Sequence, residues 1–311
     1  MTRLTRLPLQ SGLACLVFAG ATPAFAQSSD ESGPAVIIEG ERIDDYAARR
    51  QARDITPGSG QSHEALPRFQ KPVCIGVFGL RPENAAPMIE RMYDNAEDIG
   101  LIVNRGEGCR ANVWVLVVDD PAAKFDKLVE EGDDLIAALA KYKRKRIARQ
   151  DGPVRAWNLT SERDEYGNKV PTGFEAASMM QGAAMGISSM PIVVSSRSSR
   201  MRLSVRMDID LSLVMIAREA LADVDAHALA DYATMRAFTE TEEPEKAVGF
   251  ESILTLFSDQ REVTRLSAFD RGYLRSLYKA NAHRPARVGL ASLSPHIERE
   301  LALEAQQPKD E

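Results

Sequence analysis

The residues best placed for chemistry are His227 and Asp231, four apart in the run His227-Ala228-Leu229-Ala230-Asp231. On a helix that spacing puts both side chains on one face. Metal-dependent peptidases of the zincin class carry H-E-x-x-H on a helix, with two zinc ligands at this spacing and a glutamate base beside the first. Here Ala228 stands in the place of the base and Asp231 in the place of the second histidine. One reading is therefore a divergent hydrolase with zinc on His227 and Asp231, its third ligand drawn from His283, His296 or a carboxylate. The plainer reading is a His–Asp pair that stabilises its own helix by roughly a few tenths of a kcal/mol.

Other constellations are thinner. Asp231, Tyr232 and Arg236 follow a long strand pattern on one predicted helix, and they are the candidate polar binding residues. Asp119 and Asp120 sit at the end of a strand, where they are either acid/base groups or the cap of the helix that opens at Pro121. The chain has no G-x-S-x-G elbow and no glycine-rich phosphate loop. Lys141, Lys143, Arg144, Lys145, Arg146 and Arg149 crowd six cations into nine residues. Such a run meets anionic lipid, an acidic polymer or an acidic partner patch, or else it is a solvated helix end whose cations complement the dipole.

Compartment bears on the cysteines. Arg3 and Arg6, the apolar stretch Leu13 to Ala21 and the small-x-small site Ala24-Phe25-Ala26 have the three parts of a secretion signal. The predicted leader is therefore residues 1–26, and its apolar stretch is too short to span a bilayer. Cys15 leaves with it, and a lipid-modified alternative there has a poor recognition sequence in Gly12-Leu13-Ala14. Cys74 and Cys109 remain. In an oxidising compartment they most simply form one structural disulfide, two buried thiols being the alternative. Cleavage takes two of 39 basic residues and none of 45 acidic ones, so the mature chain is acidic and a poor general binder of nucleic acid. No later segment reads as a membrane span, and the predicted location is periplasmic or secreted.

Elements that must position these residues follow from the periodicity. Residues 27–67 read as a flexible N-terminal segment, with a short strand at 35–38 and a charged helix from Asp44 to Arg53. The run Val36 to Arg42 also resembles the segment that outer-membrane receptors offer to an energy-coupling protein, although an edge strand explains it as well. Val73–Leu80 and Val113–Val118 read as buried strands. Between them Met88, Ile89, Met92, Ala96 and Ile99 mark one face of a helix that Gly100 stops. Leu101–Val103 suggests a further short strand, and Phe125–Leu139 a second amphipathic helix. Arg155–Thr160 and Lys169-Val170 flank a turn, as in a hairpin. Residues 172–199 lack a period and read as a surface loop or gating flap.

From Met201 to Met215 apolar residues occupy successive odd positions, and past Val214 both faces become apolar, as in a strand entering the centre of a sheet. Helices follow over 225–238, from the capping box Ser267-x-x-Asp270, and from Ser294-Pro295. The expected fold is α+β: a mixed sheet with packed helices, then a helical C-terminal part. Residues 68–306 form a single domain and 307–311 a disordered tail.

Several pieces together resemble an uncharacterised family of exported alphaproteobacterial proteins. They are Val73 to Leu80, Cys109 with Asn112-Val113, Ala156-Trp157, Leu229 to Arg236, Ile253 to Phe257, and Phe269 to Tyr278. More distantly, the late helix pattern is similar to a bacterial family with a degenerate zincin-like fold. That resemblance implies that residues 225–238 occupy the place of a zincin's active helix without its chemistry. The resulting expectation is a non-enzymatic periplasmic protein that binds an envelope protein or polymer and needs no cofactor. Zinc enters only with the hydrolase alternative.

Overall fold

A computed structural model describes residues 43–59, 64–187, 199, 201–244, 249–258 and 263–306. The leader, the 35–42 run, His63 and the 307–311 tail lie outside the described residues.

The architecture is a four-stranded mixed sheet with helices on both faces and a helical C-terminal part. The strands are β1 (Ile75–Phe78), β2 (Val113–Val118), β3 (Val154–Arg163) and β4 (Arg206–Ala217), in the order β1-β2-β4-β3. The β1–β2 and β2–β4 pairs are parallel, and β3 runs antiparallel to β4. β4 is therefore an inner strand, between β2 and β3, as its two apolar faces predict. Leu213 and Met215 point to one layer and Val214 and Ile216 to the other.

The smaller layer holds α3 (Pro121–Glu131), α4 (Asp134–Ala137) and α5 (Lys141–Ala148), whose Phe125, Ile136 and Ile147 pack with Trp157 of β3. The larger layer holds α1 (Asp45–Asp54), α2 (Pro82–Asp98), α7 (Ala226–Ala237) and α8 (Ala268–Lys279), and α10 (Ser294–Gln306) packs on α8. Two further helices are α6 (Gly173–Ala184), after β3, and α9 (Ala286–Gly289), between α8 and α10. Among the described residues no helix is long and apolar enough to cross a membrane.

Several local expectations are corrected. Val73–Leu80 gives only four strand residues, at a sheet edge, and Phe78 is 68% exposed. Leu101–Val103 contributes one bridge, from Val103 to Val73. The Phe125–Leu139 helix is broken at Gly132, which takes a left-handed φ of 67° and ends α3, and Asp133 then caps α4. Part of the loop predicted at 172–199 is α6. Within the segment expected to be flexible, α1 buries Ala48 and Ala52 in the core, with Ile55 just beyond it. Its charged outer face concealed an apolar stripe at i, i+4 and i+7.

Cys74 and Cys109 form a disulfide with Cα atoms 6.2 Å apart. It joins the entry of β1 to the turn before β2. Asn112 reinforces the join: its side chain accepts from Cys74 N at 2.8 Å, and its backbone N donates to Cys74 O at 3.0 Å.

Candidate functional site

Five alanines make α7 slim, so neighbours approach it closely, and residues 228–237 are all buried. The helix packs against α2, β3 and β4. Asp225 caps its start by accepting from His227 N and Ala228 N.

Asp231 is 0% exposed and accepts four hydrogen bonds. Arg91 of α2 donates to both oxygens, through Nε at 2.7 Å and a terminal nitrogen at 3.0 Å. Asn95, one helical turn on, donates at 2.8 Å, and the backbone N of Leu266 donates at 2.9 Å. A bidentate guanidinium with two further donors satisfies both oxygens of a buried carboxylate. Asp231 is thus the joint between α7, α2 and the approach to α8.

This donor set does not fit the zinc of the hydrolase reading. The lone pairs of Asp231 are committed, whereas His227 is exposed. His283 is mostly buried beside the 202–206 segment. Burial, with Arg202 and Arg206 next to it, lowers its pKa below the usual histidine value. His296 is on α10 and is also lowered, mainly by burial. Among the described residues no three His, Cys, Asp or Glu side chains come together as a metal site.

Tyr232 and Arg236 are also internal. The Tyr232 ring is fully buried, and its hydroxyl donates to Glu243 at 3.1 Å. Arg236 is 4% exposed, its guanidinium lying 5.9 Å from the Tyr232 ring centre. Neither residue offers a surface to a ligand. Asp120 caps α3 by accepting from Ala123 N at 2.9 Å, and Asp119 pairs with Arg218 at 3.2 Å. Both are accounted for structurally.

Above Asp231 the structure opens a charged cleft of about 880 Å³ between α2, α8 and α10. Arg91 and Asn95, which hold Asp231, line it, together with Asp94, Asp98, Arg265, Arg271, Arg275 and Glu300. Arg275 reaches Asp98 at 2.6 Å and Glu300 at 2.7 Å. Arg271 reaches Glu300 at 3.3 Å and also contacts Glu304 and the carbonyl of Leu266. Glu300 is 2% exposed, so two guanidiniums neutralise a buried carboxylate. The peptide groups of Leu266 link this network to Asp231, and the cleft presents four arginines held in place by acids.

The sequence reading missed these residues, although a signal was there. Arg271 and Arg275 are four apart, as are Glu300 and Glu304, so each pair shares a helix face. Arg91, Asn95 and Asp98 likewise form a stripe on α2. Which stripe meets which is decided only by the fold.

Other charged groups serve the fold. Burial raises Glu240, but Lys143 and Arg146 outweigh it and hold the carboxyl below its usual range. Lys143 is 3.1 Å from it, and Arg146 also pairs with Glu242 at 2.8 Å. Arg68 is buried and donates to the carbonyls of Leu277, Ala280 and Asn281, at the C-terminal end of α8. Burial lowers its pKa to about 10. Asp270 completes the capping box of α8, and burial pushes it up to about 6 against the donors Ile253 N, Ser252 and Ser267.

No protein-family model, curated protein or solved structure matches the chain.

Proposed function

We propose that this is an exported, non-catalytic binding protein of the cell envelope, with the arginine-lined cleft over Asp231 as its binding site. The observation that carries the reading is the saturation of Asp231. The residue best placed for catalysis is spent on fixing Arg91 at the edge of the cleft, where its guanidinium is oriented in advance for a polar ligand. Export is supported by the secretion-type N-terminus, by the resemblance to one exported family, and by a disulfide, which persists in oxidising compartments. The zincin-like hydrolase has no comparable support, because its proposed second ligand has no lone pair left to give.

The test is to recover the protein from fractionated cells without chelator, map its cysteines and measure its metal content by elemental mass spectrometry. The expected result is a periplasmic protein with Cys74 linked to Cys109 and no stoichiometric zinc. Cytoplasmic protein with both thiols reduced refutes export. About one zinc per chain, lost in His227→Ala, refutes the non-catalytic reading.

A further inference from the structure

The cation run is in the wrong place to be only a helix end. It runs from Lys141, the first residue of α5, to the C-cap Arg149, and the first turn contains no acid and no side-chain cap from Ala140. Lys141 and Lys143 therefore sit where the helix dipole is positive, an arrangement that weakens the helix. Lys143 and Arg146 have an internal reason to be there, since both clamp the buried Glu240. Lys141, Arg144, Lys145 and Arg149 do not. Their spacing of i, i+3, i+4 and i+8 puts them on one side of the helix, with Arg144 half-buried and its Nε covered, and among the described residues none has a carboxylate within ion-pair distance. Lys141, Lys145 and Arg149 are exposed, and Tyr142 beside them is 59% exposed. Ile147, on the other side, is buried and anchors the helix to the smaller core. A helix that opens on Lys141, with no acid or side-chain cap in its first turn to offset it, breaks a local rule, as expected where a surface is used for something else.

We infer that the outer face of α5 docks the protein onto an anionic membrane surface, with Lys141, Arg144, Lys145 and Arg149 meeting lipid phosphates and Tyr142 lying at headgroup level. The whole chain carries a net charge of −6 even with these cations included, so the remainder is strongly acidic. A long flexible polyanion would also meet that negative field, whereas a flat headgroup layer touches only the convex basic face. Exposed tyrosine among cations matches the composition of a membrane interface. This face is on a different helix from the arginine cleft, so either proposal can fail without the other.

The test is co-sedimentation of the disulfide-bonded protein with vesicles of phosphatidylcholine, alone or with phosphatidylglycerol, at low and at physiological salt. Binding should require phosphatidylglycerol and fall steeply with salt. Lys141→Gln with Lys145→Gln should weaken it about twenty-five-fold, at about fivefold per cation. Lys71→Gln with Lys279→Gln changes the net charge equally and should leave binding within about twofold of the parent. Circular dichroism and thermal melting confirm that both double variants are folded. No binding to anionic vesicles at low salt overturns the proposal, as does equal weakening by the two double variants. Polyglutamate that displaces the protein from vesicles at matched charge concentration also overturns it, in favour of an acidic polypeptide partner.

Discussion

At the scale of single residues, Asp231 shows how a candidate for chemistry becomes a structural joint. Its spacing from His227 was legible, but its partners Arg91 and Asn95 are 140 and 136 residues away in the chain. No local pattern discloses that pairing. Replacing Asp231 with Ala leaves the Leu266 N–H buried without an acceptor, the Asn95 amide with Thr234 as its remaining acceptor, and Arg91 without its charge partner. Because Arg91 is a third exposed, water recovers some of the loss, and the expected cost is about 3 kcal/mol. Urea denaturation measures it, and an unchanged midpoint would refute the role assigned here. His227→Ala should leave the midpoint within about 0.5 kcal/mol, as for an exposed surface position.

At the scale of elements, close approach between α8 and α10 depends on Gly272. A Cβ there would lie 2.8 Å from both the N and the Cα of Ile297, so the backbone of α10 would have to move. Gly272→Ala should therefore destabilise the protein by about 1–3 kcal/mol despite the better helix propensity of alanine. Hydrogen exchange checks the mechanism, because amides of α10 should exchange faster while those of β4 keep their protection. A glycine in mid-helix was visible in the sequence, but its reason lies 25 residues further along the chain. Gly76 has a comparable role in the sheet, where a side chain would meet the ring of Trp114 on the neighbouring strand.

For the molecule as a whole, the disulfide closes a 35-residue separation that includes α2 and ties edge strand β1 to β2. The chain-entropy estimate for a loop of that length is about 4 kcal/mol. Reduction, or Cys74→Ser with Cys109→Ser, should lower stability by about 2–4 kcal/mol, read as a lower melting temperature under reductant. A melting temperature that does not respond to reductant would mean the bridge constrains nothing that unfolding releases. The C-terminal part has no such covalent tie and relies on Arg271, Arg275 and Glu300 between α8 and α10.

The sequence by itself determined the parts of this protein that depend on local periodicity and on covalent chemistry. The β4 alternation, the capping box at Ser267 and Asp270, the α2 and α7 helices and the cysteine pair could all be read from it, because each depends on neighbours in the chain or on a single possible partner. Only the tertiary structure decided what the charged residues do. It assigned Asp231 to Arg91, Glu240 to α5, and Arg271 and Arg275 to Glu300. It also drew α1 into the core and left the outer face of α5 unpaired. The physical reason is that a charge has no intrinsic partner. Its role is set by which opposite charge the fold brings within a few ångströms and by how much water is left between them.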